Sequence, residues 1–115
     1  MELKELIGLA EMVRVAKLNE FEARRRLIDA QCAVESVKAA SLAYAYENGV
    51  IDGKNADIRK QQEVAFLTTN VDHNDALYEA DQLQREADAA VAELAGIETR
   101  AGLVKAWLYS QARIG

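Results

Sequence analysis

The sequence predicts an all-α protein: a long antiparallel helical hairpin, similar to a coiled coil, with a short third helix in the connection. The chain of 115 residues contains no proline and only 6% aromatic residues. It is also rich in alanine, and this composition favours helices over strands. Two long stretches repeat apolar residues at heptad spacing, and turn residues cluster between them. We therefore expect one helical domain over residues 1–115.

The first long helix is predicted over about residues 2–47, where only Gly8 disfavours a helix. One polar residue, Glu20, interrupts its apolar seam. Because much of the seam is alanine, a partner helix can approach closely. The two rows of the seam are Leu6, Val13, Glu20, Leu27, Val34 and Ser41, and Leu9, Ala16, Ala23, Ala30, Val37 and Tyr44.

The second long helix is predicted over about residues 72–113, with Asp72 as its N-cap. Its seam also has two rows, namely Ala80, Ala87, Leu94, Ala101 and Leu108, and Ala76, Leu83, Ala90, Ile97 and Val104. Folding the two helices back on each other buries both seams. The resulting antiparallel register places Val13 near Val104 and Glu79 near Lys38.

The outer faces of both helices indicate a further contact. A solvated helix face normally carries charge, yet the outer face of the second helix is uncharged from Ala89 to Ala106. The first helix has a second apolar stripe. We expect these surfaces to assemble the hairpins into a homo-oligomeric helical bundle, because the connecting segment is too short to cover helices of about 60 Å. The predicted oligomer or partner surface includes Phe21, Ile28, Gly96, Leu103 and Trp107.

The connecting segment, about residues 48–70, contains the turn signals. Asn48-Gly49 is expected to end the first helix, and Asp52-Gly53 is a second turn signal. Asn55 or Asp52 then caps a short helix from Ala56 to about Leu67. Its predicted apolar side consists of Ile58, Ala65 and Phe66.

The run "GVIDGKNADIR", which ends at Arg59, resembles a GKN-x-x-x-R signature of small phage- and prophage-encoded helical proteins. In those proteins the signature lies between two long helices rich in alanine and glutamate. No enzymatic motif accompanies it. The resemblance implies a phage accessory protein.

The same segment carries a candidate contact site at Lys54, Asn55 and Arg59. A glycine turn, a lysine and the free amides of a helix N-terminus are the ingredients of an anion site. These residues therefore predict an anion or partner contact. The alternative is that Asn55 only caps the helix while Arg59 pairs with Asp52 or Glu63.

A second candidate site is an acidic edge on the last helix, where carboxylates recur every seven residues: Asp72, Glu79, Glu86 and Glu93. A rigid row of acids can imitate a nucleic-acid backbone. The alternative is that these acids pair with basic residues of the facing helix, with Glu93 near Arg24–Arg26.

The sequence predicts no catalytic residues, no metal site and no cofactor. His73 and Cys32 are the only residues of their types, and neither has partners at metal-ligand spacing. A net charge of −5 makes nucleic acid an unfavourable direct ligand. No apolar run approaches the roughly 20 residues that span a bilayer. The acidic N-terminus differs from targeting peptides, so we expect a cytoplasmic protein, in the host cell if phage-encoded.

These features favour a non-enzymatic, phage-type accessory protein that acts by protein–protein binding. Its hypothetical role is to modulate or inhibit a host or phage protein of DNA metabolism or defence. Two alternatives stay open. One is a structural or assembly coiled coil, such as a scaffold or chaperone. The other is an oligomeric sponge that holds a nucleotide or other anion near Lys54 and Arg59.

Overall fold

A computed structural model describes residues 3–114, which form three α-helices: α1 (Leu3–Glu47), α2 (Ala56–Thr69) and α3 (Val71–Ile114). No strand occurs in this described part of the chain. The prediction of an all-α helical hairpin is therefore confirmed. Contacts between residues divide the chain into two compact units. The central unit comprises Arg26–Gln84, and the terminal unit comprises the described residues up to Arg25 and from Arg85 onward.

In the terminal unit, the alanine seam is the buried surface. Ala16 and Ala23 of α1 and Ala87 of α3 are buried. One groove is lined by Leu6, Leu9, Ala10, Val13, Ala101, Val104, Lys105 and Leu108. In an antiparallel pair this set places Val13 toward Ala101 and Leu9 toward Val104, so the register is offset from the predicted one by about one turn. The small seam residues let α1 and α3 pack closely here.

In the central unit, the register differs from the prediction. Glu79 lines a groove with Arg26, Asp29 and Ala33, more than one turn before Lys38 in α1. The last turn of α1 contacts α2 through the hydrogen bond between Tyr46 and Glu63.

The end of α1 confirms the turn predicted at Asn48-Gly49. Gly49 adopts a left-handed conformation with φ of 71°. The Val50 amide donates to the Ala45 carbonyl oxygen at 2.9 Å, and the Gly49 amide donates to the Tyr46 carbonyl oxygen at 3.3 Å. These two bonds define a Schellman motif, which satisfies carbonyl groups that a helix end leaves free.

The start of α3 corrects the predicted cap. α3 begins at Val71, and its N-cap is Asn70 instead of Asp72. The Asn70 side-chain oxygen accepts the His73 amide at 2.8 Å, and the Asn70 amide donates to the Leu67 carbonyl oxygen at 3.3 Å. Asn70 thus ends one helix and begins the next, and Asp72 lies in the first turn, where a negative charge favours the helix dipole.

α2 packs through a different side from the one predicted. Ile58 and Ala65 are exposed, and only Phe66 of the predicted apolar side is partly buried. Arg59, Gln62 and Leu67 are partly buried instead. Gln62 lies on this packed side, where its side-chain amide forms hydrogen bonds with the loop that precedes α2.

The buried core is small and consists mostly of alanine. Besides Val34 and Ile51, its members are alanines at positions 16, 23, 30, 45 and 87. Many large apolar side chains stay exposed. None of the described helices combines the length and the apolar character that crossing a bilayer requires.

Candidate functional site

The candidate site in the connecting segment is organised by Gln62. Its side-chain oxygen accepts the amides of Asp52 and Gly53 at 3.1 and 2.8 Å, and its Nε2 donates to Asp52 Oδ1 at 2.9 Å. One residue of α2 therefore satisfies two loop amides and one carboxylate. Gln62 was not predicted as a site residue, because a bond across ten positions leaves no periodic signal.

Asn55 and Arg59 both hold this turn together. The Asn55 side-chain oxygen caps α2 by accepting the Ile58 amide at 2.9 Å. Arg59 donates from Nη1 to the Gly53 carbonyl oxygen at 3.2 Å, so its partner is a backbone carbonyl instead of the expected Asp52 or Glu63 carboxylate. Lys54 is exposed beside them. The predicted anion or partner contact at these residues stays a prediction.

Gly53 is required by close packing. A Cβ atom added at this position lies 2.5 Å from Ile58 Cγ2 and 3.0 Å from both the Arg59 amide nitrogen and Gln62 Oε1. Distances of that size force a neighbour to move, and one of the neighbours is backbone. The glycine therefore lets the loop approach the first turn of α2.

Replacing Gly53 with alanine is expected to lower the free energy of unfolding by about 1–3 kcal/mol through overpacking. Urea unfolding followed by circular dichroism measures the change. Gly8→Ala is the matched control, since an added Cβ there meets nothing within 4 Å. That variant should gain up to about 1 kcal/mol from helix propensity. Equal effects of the two variants would contradict the packing argument.

Tyr46 and Glu63 join the end of α1 to α2. The Tyr46 hydroxyl donates to Glu63 Oε1 at 2.6 Å. This hydrogen bond raises the pKa of Tyr46 above its ordinary value; burial and the Glu63 charge act in the same direction, and the Arg59 charge opposes them. The contact spans seventeen positions of sequence. It was not predicted, because nothing local in the sequence pairs these two side chains.

The raised pKa of Tyr46 predicts a pH dependence of stability. Because the folded-state pKa lies above the unfolded value of about 10, the hydrogen bond stabilises the fold fully below that value. Its contribution is lost as pH rises through the folded-state pKa. An ultraviolet titration should show one tyrosine ionising above the ordinary range. Tyr46→Phe should remove that step and Glu63→Gln should lower its pKa.

Tyr44→Phe is the matched control, because it deletes one hydroxyl and leaves the Tyr46–Glu63 bond intact. Persistence of the high-pH step in Tyr46→Phe would assign it to another tyrosine. An unchanged titration in Glu63→Gln would remove Glu63 as the cause.

The acidic edge is exposed in both units. In the central unit, Asp72 lines a groove with Tyr44 and Phe66, and Glu79 lines one with Arg26. Glu93, in the terminal unit, borders a groove with Glu11, not with the basic run that was expected to face it. Glu86 has an interaction partner. Whether these acids contact a partner remains a prediction.

Two ion pairs on α1 are local. Arg14 pairs with Glu11 three residues earlier, and Arg24 pairs with Glu20 four residues earlier. The bonded Arg14 guanidinium lowers the pKa of Glu11. Glu20 is the polar residue of the seam, and its partner Arg24 is supplied by the next turn of the same helix. One cation of the basic run Arg24–Arg26 therefore forms its ion pair within α1.

The apolar outer faces are uncovered, as the sequence indicated. Phe21, Ile28, Leu103 and Trp107 are all exposed, with Leu103 at 68% and Trp107 at 46%. An added Cβ at Gly96 meets no atom within 4 Å, so nothing in this chain requires a glycine there. The four large side chains therefore leave apolar surface accessible on the chain.

His73 and Cys32 are the remaining residues with metal-binding or nucleophilic side chains. Among the described residues, no three His, Cys, Asp or Glu side chains are placed to hold a metal ion. Cys32 is exposed. His73 is partly buried, and its Nδ1 atom is shielded without a hydrogen-bond partner.

Fold and surfaces together define an all-α hairpin protein with uncovered apolar faces. No family model, curated protein or solved structure matches the chain.

Proposed function

We propose that the protein acts by binding other proteins through its exposed apolar faces, and that it catalyses no reaction. The observation that supports this proposal is the imbalance between its buried and exposed side chains. The buried residues are mostly alanines, whereas Ile7, Leu18, Phe21, Leu103 and Tyr109 are at least about half exposed in the terminal unit alone. Large exposed apolar surfaces mark interaction sites.

The accessible surface area supports the same proposal. The chain exposes 8492 Å². A compact monomer of 12.7 kDa is expected to expose about 6,200 Å². The excess of roughly 2,300 Å² exceeds the 800 Å² that each partner buries in a standard interface. Burying part of this surface against a partner is favourable, because it removes apolar groups from water.

The biological setting is proposed from the resemblance at Gly49–Arg59. In this proposal the protein is a phage-type accessory protein of the cytoplasm. Its partner is a host or phage protein of DNA metabolism or defence, which binding modulates or inhibits. A scaffold or assembly role uses the same apolar faces. The exposed Lys54 alone gives less support to an anion sponge, because Asn55 and Arg59 already bond within the turn.

Affinity capture tests the proposed function. The tagged chain is immobilised and exposed to lysate of the cells that produce it, and bound proteins are quantified by mass spectrometry. We expect a stoichiometric partner that is lost in the double variant Leu18→Ser, Phe21→Ser. Tyr78→Ser, at an exposed aromatic of the central unit, is the matched control. Absence of any stoichiometric partner, or equal capture by all three forms, would overturn the proposal.

A further inference from the structure

The central unit contains a groove where the last part of α1 faces the link between α2 and α3. Six residues line it, namely Ala40, Ser41, Tyr44, Phe66, Asn70 and Asp72. Its volume of about 390 Å³ lies within the range of small-ligand sites. Tyr44 is 60% exposed and Phe66 is partly buried. The groove therefore combines accessible aromatic surface with one acidic residue.

The oxygen atoms of Ser41 and Asn70 are already used within the fold. The Ser41 hydroxyl donates to Asn70 Oδ1 at 3.4 Å, and the same oxygen accepts the His73 amide at 2.8 Å. Asp72 is the only charged residue among the six that line the groove, and it is exposed. A ligand that enters the groove therefore meets a carboxylate with no cation beside it in the lining.

The chain segments that meet at this groove carry negative charge. Residues 39–47 and 61–84 contain no lysine or arginine. Their acidic residues are Glu47, Glu63, Asp72, Asp75, Glu79 and Asp81. The nearest basic residues along the chain are Lys38, Lys60 and Arg85, all outside these segments. The groove is therefore a local site of negative potential.

The charge of the whole central unit acts in the same direction. This unit contains ten acidic and five basic residues, whereas the terminal unit contains nine of each. The net charge of −5 therefore belongs to the central unit. A field of this sign attracts cations and repels anions.

We propose that this groove binds an arginine side chain of a partner protein. The guanidinium group stacks against Tyr44 and Phe66, and its N–H groups donate to the Asp72 carboxylate. An aromatic face attracts a cation, and a charge-assisted hydrogen bond is stronger than one between neutral groups. The inference rests on the proposed binding function. It adds the chemistry of the partner and uses residues of the central unit alone.

The chemistry of the groove selects arginine over other occupants. An anion is opposed by the acidic segments that meet there. Lysine supplies the charge, but its ammonium group is compact and strongly hydrated. The guanidinium group of arginine is planar and weakly hydrated, so it stacks on aromatic rings and bonds to a carboxylate at the same time. An apolar side chain gains nothing from Asp72.

A nuclear magnetic resonance titration of the isotope-labelled full chain tests the site, with N-acetyl-arginine amide as the probe. N-acetyl-citrulline amide is the matched control, because it has nearly the same shape and no charge. We expect the arginine probe to shift the amide signals of Tyr44, Phe66 and Asp72 saturably. The citrulline probe should bind at least about 5-fold more weakly. Equal binding of the two probes, or shifts that omit these residues, would overturn the proposal.

The carboxylate is tested by substitution. Asp72→Asn should raise the dissociation constant of the arginine probe at least about 5-fold, because it deletes the charged acceptor. Asp75→Asn removes an equal charge from an exposed residue of the same helix that does not line the groove. It should change the constant by less than about 2-fold. Equal losses in the two variants would show that the general negative field suffices, and the assigned site would be wrong.

The aromatic contact is tested in the same titration. Tyr44→Leu keeps apolar volume but removes the ring, so binding should weaken by about 2–5-fold. Tyr78→Leu, at an exposed aromatic residue of the central unit outside the groove, should leave binding unchanged. Undiminished binding in Tyr44→Leu, or an equal loss in both variants, would remove the stacking contact. Far-ultraviolet circular dichroism verifies that all variants stay helical.

The two proposals fail separately. If the arginine probe does not bind, the groove is overturned, whereas capture that depends on Leu18 and Phe21 still supports the proposed function. If no partner is captured, the proposed function is overturned, whereas saturable binding of the probe still supports the groove as an arginine site.

Discussion

Replacing Ile51 with alanine is expected to lower the free energy of unfolding by about 2–5 kcal/mol. Ile51 is 3% exposed, and Val34 is the only other buried side chain larger than alanine in the described part of the chain. Truncating the Ile51 side chain loses the favourable free energy of burying its apolar atoms and also leaves a cavity. In a protein with so small a core, this is a large share of a total stability of about 5–15 kcal/mol.

Urea unfolding measures this loss, with the protein concentration held the same for every variant so that binding equilibria do not enter the comparison. Ile51→Val should lose only about 0.5–1.5 kcal/mol. Val64→Ala removes an exposed aliphatic side chain from α2 and should stay within about 0.5 kcal/mol of the native chain. A loss in Ile51→Ala no larger than that of Val64→Ala would show that Ile51 does not anchor the central unit.

Enlarging Ala87 to leucine is expected to destabilise the terminal unit by about 1–3 kcal/mol. Ala87 is 3% exposed in the alanine seam, where α1 and α3 lie close together. Three additional carbon atoms have no space there, so either the helices separate or side chains leave their preferred rotamers. The substitution keeps high helix propensity, which isolates packing as the cause.

The matched control for Ala87→Leu is Ala39→Leu, at an exposed alanine in the interior of α1. That variant should change the free energy of unfolding by no more than about 0.5 kcal/mol. Thermal and urea unfolding, both followed by circular dichroism, measure the two variants. If Ala87→Leu proves as stable as Ala39→Leu, the seam is loosely packed and the close approach of the helices is wrong.

The seam was predictable because it depends on local periodicity. Apolar residues at heptad spacing must share one face of a helix, and residues of that face at Ala16, Ala23 and Ala87 are indeed buried. The Schellman turn at Gly49 was predictable for a similar reason, since a left-handed residue after a helix is nearly always glycine or asparagine. The apolar outer faces were predictable because those helix positions carry no charged residues in the sequence.

The candidate site was only partly predictable. Asn55 was recognised as a cap from its position before a helix, and its side chain performs that function. The predicted carboxylate partner of Arg59 was wrong. The prediction rested on opposite charge, whereas in the structure the guanidinium donates to the carbonyl oxygen of Gly53. Gln62 and Tyr46 were missed, since their partners lie ten and seventeen positions away.

What the sequence by itself determined is the helical class, the buried seam, the turn at Gly49 and the uncharged outer faces, because each depends on residues within a few turns of one helix. Only the tertiary structure decided the register in the central unit, the cap at Asn70 and the packed side of α2. These depend on contacts between residues that belong to different elements of the fold. Asn70 alone separates α2 from α3, and its side chain also bonds to Ser41 at 3.4 Å. Such contacts leave no periodic pattern within either helix, so the sequence of one helix does not carry them.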